Sequence, residues 1–447
     1  MKRIALPVAV ALAVVAQASQ GAGFIEDSKA NLALRTLYFN SDNRESQNYT
    51  GQHNELGQGF QLQYSSGFTE GTVGVGIDAL ATWGVRLDGG GRAGKAGQDR
   101  NPSQLFPLHG DKTANDFARL GLTAKAKVGE SEIRYGTLLP RLPILVSNDG
   151  RLLPQTFHGT QITSKDFDNL TLTGGLIEQV TGRASTDRTG LSVAGATQES
   201  NHLWFAGADW TVQPGLLAQY YYANLEEFYR QHFFGLNQTF QLADNQSLKL
   251  DLRYFRTDAE GKNASGATGY GVGGYTRNGD GEIDNNTWST ALTYNHSVHT
   301  VMLGYQQVSE GSNFVQPNQV GRAGGGGITD KGAAGASLYL HTDRLLSSFN
   351  RAGERTVFAD YTFSFRELGA PGLTAGVAYL RGSNIKTANG GNQQEWERDL
   401  RLDYALQGGP LQGMVFSWRN ATWRGNTPNT FDTDQNRLIV SYSIPLL

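Results

Sequence analysis

Along most of the chain, apolar and polar side chains alternate one for one. In the run from Ser247 to Tyr254, Leu248, Leu250, Leu252 and Tyr254 fall on one side, and Ser247, Lys249, Asp251 and Arg253 on the other. Successive side chains of a strand point to opposite faces, so this period predicts a strand between an apolar and a wet environment. The same alternation sets Val73, Val75 and Ile77 against Gly74, Gly76 and Asp78, and Leu120 and Leu122 against Gly121 and Thr123. It recurs with Val357, Ala359 and Tyr361 against Phe358, Asp360 and Thr362, and with Leu438, Val440 and Tyr442 against Arg437, Ile439 and Ser441.

The connections between these strands alternate in length. Short turns are expected near 67–71, 129–130, 167–169, 213–215, 243–245, 297–298, 368–371 and 408–409. Long connections are expected over 41–54, 84–114, 139–157, 180–200, 258–286, 310–353, 382–396 and 424–434, with a shorter one near 229–231. Tight turns on one side, long loops on the other and strands of about ten residues predict an all-β transmembrane antiparallel barrel. The turns are periplasmic and the loops external, and the hairpins give about 18 strands, a size that leaves an aqueous channel unless loops fold inward to constrict it. With no linker or second pattern, residues 23–447 are read as one barrel domain.

Composition agrees with a protein wet on one face. Of 447 residues, 57 are glycine, and hydrophobic residues make up 38%. Seven Trp, 18 Tyr and 21 Phe argue against disorder. The first residues explain how such a chain reaches a membrane. Lys2 and Arg3 precede an apolar run from Ile4 to Val15, followed by small residues at Ala16 and Ala18. That is the pattern of a secretory signal peptide over 1–22, cleaved near 18–22 and too short to span a bilayer. The expected location is the outer membrane of a Gram-negative bacterium.

Several chemistries are excluded. There is no cysteine, and the net charge of −3 gives no support for nucleic-acid binding. His296 and His299 flank a tight turn and share no strand face. The run 190–194 fails the G-x-S-x-G elbow at its last position, Ala194. Two G-x-G-x-x-G matches, 89–94 and 269–274, lack a strand-to-helix context. An EF-hand register around Gly281 would put Thr276 and Thr287 where carboxylates are required. No catalytic residue, metal site or cofactor is expected, and the chain is not read as an enzyme.

Channel chemistry must then come from lumen charges and infolded loops. The 139–157 loop carries Pro140, Pro143 and Pro154, and its Leu142, Ile144 and Leu145 are too apolar for a free external loop. Strand parity places Arg401, Arg419 and Arg437 on the lumen face of the last three strands, because Leu402, Trp418 and Leu438 take the lipid face. Arginine binds carboxylate through a planar fork, so successive sites of this kind would pass an anion along. Asp399 and Asp403 stand beside Arg401 and leave local charge neutralisation as an alternative there. Trp83, Trp204, Trp210, Tyr220, Tyr222, Tyr294, Tyr305, Tyr361, Tyr379, Tyr404 and Tyr442 fall mostly on the apolar face and are expected in interfacial girdles.

The segments Gly23–Ser28, Leu34-Arg35, Tyr38–Asn40, Asp149–Thr156, Glu226–Gln231, Ala352–Arg355 and Arg437–Val440 resemble the OprD-type family of substrate-specific outer-membrane porins from end to end. The resemblance implies an 18-stranded barrel with a narrow eyelet and passive uptake of small carboxylate-bearing nutrients. It carries a constriction role onto Arg151 and a basic ladder onto Arg419 and Arg437, with Ser417 where the family has a further arginine. It makes 310–353 a second eyelet loop with Asp343 as its acid; Ser348 falls where some members carry another. Expected partners are outer-membrane lipid and lipopolysaccharide and small carboxylate solutes, with a monomer or weak homotrimer as the oligomeric state. Cyclic or aromatic monocarboxylates are the first candidates, basic amino acids the second. A general diffusion porin and an exported β-rich binding protein or adhesin are the alternative readings.

Overall fold

The computed structural model describes residues 23–44, 52–89, 105–109, 112–319, 335–388, 390, 393–428, 430 and 432–447. The expected signal peptide and parts of five external loops lie outside the described residues.

Eighteen strands form one antiparallel sheet. They are β1 Lys29–Asn43, β2 Gln52–Ser65, β3 Gly74–Asp88, β4 Asp116–Val128, β5 Ser131–Leu138 and β6 Thr156–Phe167. Then come β7 Leu170–Thr181, β8 Leu203–Gln213, β9 Leu216–Leu225, β10 Tyr229–Ala243, β11 Gln246–Ala259 and β12 Asp284–His296. The last six are β13 His299–Val308, β14 Arg355–Ser364, β15 Leu373–Ile385, β16 Gln393–Ala405, β17 Val415–Gly425 and β18 Thr433–Pro445. Each strand pairs with the next, and β1 pairs with β18 from Asn31↔Pro445 to Asn43↔Thr433, so the sheet closes on itself and leaves no edge.

All eight predicted short turns are present between strands. At 129–130 and 214–215 the hairpins need a left-handed backbone, which Gly129 (φ 58°) and Gly215 (φ 83°) supply without a Cβ clash. The shortest external connection sits three residues earlier than its expected 229–231. Tyr229, Arg230 and Gln231 already alternate as strand, and the chain reverses through Glu227 at φ 70°.

The lipid face carries the alternating apolar positions. Trp83, Trp204, Trp210, Tyr220, Tyr361, Tyr379 and Tyr404 are all exposed, with Leu120, Leu292, Leu303 and Leu438 among the aliphatics. The apolar packing inside is made where external loops drop into the lumen. Ile144, Leu145, Leu191, Val193, Leu338 and Leu340 are buried against wall residues Phe157, Ile177, Phe233 and Phe255. Burial of these loop side chains, at roughly 25 cal/mol per Å² of apolar area, offsets the order imposed on long connections.

Candidate functional site: the eyelet

Three loops converge inside the barrel. Loop 139–155 is strapped to loop 335–354 by Ser337 N donating to the Val146 carbonyl (3.0 Å) and by Asn148 Nδ2 donating to the Gly335 carbonyl (3.0 Å). Loop 182–202 joins through Leu191–Val193, which pairs as a short ladder with Pro317–Gln319. The far wall grips the same loops: Arg253 lies 4.0 Å over the Tyr339 ring and donates to the Tyr339 carbonyl.

The wall formed by β16–β18 supplies the basic row. Arg401 pairs directly with Arg419, and Arg419 with Arg437, so the three guanidiniums start from one line across neighbouring strands. Their environments then diverge. Arg401 is held by Asp360 (Nη1 to Oδ2 2.8 Å) and Arg419 by Asp403 (2.7 Å). Arg437 has no carboxylate within ion-pair distance among the described residues. Its donors go to Gln435 Oε1 (2.6 Å), the Gly150 carbonyl (3.2 Å) and the Leu345 carbonyl (3.0 Å). It thereby ties both eyelet loops to the wall and is only 6% exposed.

Arg151, on the loop beginning at 139, meets Arg437 over one aromatic ring. The guanidinium carbons lie 4.7 and 5.6 Å from the Phe39 centroid. Burial, then the neighbouring Arg437 and Arg183 guanidiniums, push the Arg151 pKa down. Arg183, from loop 182–202, is a third member that the sequence reading missed. It donates to Asn148 Oδ1 (3.1 Å), has no carboxylate within ion-pair distance among the described residues, and burial lowers its pKa to about 10. The signal that exposed the 139–157 loop was present here too, because Leu191 and Val193 are as apolar as Ile144 and Leu145.

Asp343 faces this group from the opposite loop. Its carboxylate accepts hydrogen bonds from Leu338 N (2.9 Å) and Ser348 Oγ (2.7 Å). Burial raises its pKa against those bonds and against Arg183 and Arg344. Ser348 therefore acts as a donor to Asp343. Arg344, also missed, donates to Asp360 (3.2 Å), which puts two arginines on one carboxylate. A cavity of about 370 Å³ on the external side, lined by Phe39, Arg151, Ser347, Arg351 and Trp423 among others, leads to the eyelet. A second, of about 400 Å³ and including Lys29, Asp78, Arg134 and Arg141, lies on the periplasmic side.

A closed barrel with an apolar, aromatic-girdled exterior, short turns at one end, long loops at the other and a charged, loop-narrowed lumen is an outer-membrane porin. Residues 22–446 match the outer membrane porin, OprD family. The chain belongs to that family. It is 33% identical over 458 residues to Porin D of Pseudomonas aeruginosa, an alignment covering 98% of this chain and 96% of that protein. Among solved structures it is similar to Pseudomonas aeruginosa OccK8 (OprE), with 45% identity, a TM-score of 0.84, and 95% of this chain and 100% of that one covered. It is likewise similar to Pseudomonas aeruginosa OpdK with vanillate, with 34% identity, a TM-score of 0.80 and the same coverage. The protein is thus a substrate-specific passive channel of the Gram-negative outer membrane, and not an enzyme.

Proposed function

We propose that this porin takes up small monocarboxylates, cyclic or aromatic ones first, by passing the carboxylate across the arginines of the eyelet. The observation that carries this reading is the convergence of Arg151, Arg183 and Arg437 from three separate segments. Arg437 and Arg183 lower the Arg151 pKa, and Arg183 and Arg437 are left without a carboxylate within ion-pair distance among the described residues. Guanidiniums brought together in this way favour an incoming anion, and their planar forks match a carboxylate. Arg401 and Arg419, already paired, offer weaker sites below. Weak successive sites suit conduction, which requires release as well as binding. Vanillate, which is bound in the related OpdK, is itself an aromatic monocarboxylate.

The test is liposome swelling with benzoate against free arginine, using wild type, Arg151→Ala and Arg183→Ala. A charge-assisted contact is worth about 1.5–3 kcal/mol, so each substitution is expected to slow benzoate entry about tenfold and leave arginine entry unchanged or faster. Unchanged benzoate uptake in both variants would overturn the reading.

A further inference from the structure

The lipid face carries one cluster that transport leaves unexplained. On β14–β16, Arg355, Arg381 and Arg398 point outward and are exposed. Val357 pairs with Arg381, Arg381 with Trp396, and Tyr379 with Arg398, so each arginine is a diagonal neighbour of the next. The diagonal also runs level with the membrane. The periplasmic strand ends step down through the pairing rows from β16 to β1: Ala405 pairs with Val415 and Val415 with Ser441, and β18 continues to Pro445 opposite Asn31. In the opposite direction, equal height steps up the rows, as the three arginines do.

Arg381 and Arg398 have no carboxylate within ion-pair distance among the described residues, and Arg355 shares Glu310 electrostatically with Lys386. Arg381 donates to Gln394 Oε1 (3.2 Å), and Arg398 to Asn420 Oδ1 (3.3 Å) and Thr422 Oγ1 (3.1 Å). All of these acceptors are neutral. Of the nearby carboxylates, Asp432 and Asp434 are engaged with Arg424, and Glu310 pairs with Lys386. By contrast, outward-facing Arg256 on β11 is matched by Asp258 and Asp284. Tyr379 and Trp396 stack beside the cluster with ring centroids 6.0 Å apart. A groove of about 430 Å³ runs between them and Arg381, Arg424 and Asp432.

We propose that this face binds a phosphate of an outer-leaflet glycolipid, the phosphorylated disaccharide of lipopolysaccharide. Arg381 and Arg398 fork the phosphate oxygens, Arg355 adds charge, and the Tyr379–Trp396 stack seats the sugar at headgroup level. Arginine forks match phosphate geometry, and stacked aromatics belong at the interface where the headgroup lies. Exposed arginines at the lipid boundary, two of them, Arg381 and Arg398, without an ion-pair partner among the described residues, are complementary to that anion.

The experiment titrates the full-length porin in detergent with bisphosphorylated lipid A, read by native mass spectrometry. Arg381→Ala with Arg398→Ala is expected to weaken binding about tenfold or more, as loss of two charged forks would. A Gln pair at the same positions, which keeps neutral hydrogen bonding, is expected to lose it equally. Arg230→Ala, at an exposed basic position on β10, is expected to leave binding unchanged. Single-channel conductance of every variant should stay at the wild-type value, because these side chains lie outside the lumen, and this separates a lost lipid site from a damaged barrel. Wild-type affinity in the Ala or Gln pair, equal affinity for lipid A stripped of phosphate, an equal loss in Arg230→Ala, or displacement by an equal concentration of inorganic phosphate would each overturn the proposal.

Discussion

Asp343 is the buried acid that faces Arg183 and Arg344 in the eyelet loops. It accepts two hydrogen bonds, yet burial still raises its pKa, and Arg183 and Arg344 are the cations that oppose the rise. Because the shift is upward, Asp343 takes up its proton above the ordinary carboxylate value of about 3.9, before exposed acids do. Each proton gained removes a negative charge beside Arg183. Anion selectivity should therefore rise as the pH is lowered from about 7 toward about 4. Asp343→Asn should show the acid-pH selectivity already at neutral pH and respond little to further acidification. Reversal potentials across a salt gradient at several pH values check this, and a variant titrating like wild type would count against it. Arg401 teaches the complementary lesson: parity placed it on the lumen wall, and the neutralisation weighed for it is present, through Asp360 rather than the adjacent acids on its own strand.

Strands were legible because each carries two environments at once, and a period of two can be read without knowing any partner. The short turns followed from Gly, Asn and Asp positions in the same way. Leu250 illustrates the strength of that signal. It pairs with Leu292, itself exposed at 47%, while its neighbour Asp251 faces inward at 6%. Leu250→Arg should cost about 2–4 kcal/mol if the site is near mid-bilayer, as measured in a refolding titration; a neutral result would refute the face assignment. What the pattern hid is contact between segments distant in sequence. Glu397, on the same face of its strand as Arg401, accepts hydrogen bonds from Leu346 N (3.0 Å) and Ser347 N (2.8 Å) of a loop fifty residues away, which no local pattern reveals. The pairing of Leu191–Val193 with Pro317–Gln319 was equally invisible, since neither run has a strand-length period. Arg183 belongs to the same loop, whose apolar Leu191 and Val193 mark it as buried but do not say where it docks, so its place beside Asn148 could not be read.

At the scale of the whole molecule, the barrel is a rigid frame that holds three loops across its own lumen, and Arg437 links frame to gate. A row of charges on the wall could be read from three strands. That one member would lie under the loops, with its donors on the Gly150 and Leu345 carbonyls, could not. This changes what its removal does. Arg419→Ala should remove charge alone, whereas Arg437→Ala should also release both loops and raise conductance. The central claim is that these arginines make the eyelet selective for carboxylate. Its most direct test is the reversal potential of the Arg419→Ala and Arg437→Ala double variant in planar bilayers, with a gradient of potassium benzoate. A shift toward cation selectivity together with increased conductance is expected. A double variant that kept the wild-type reversal potential would contradict it.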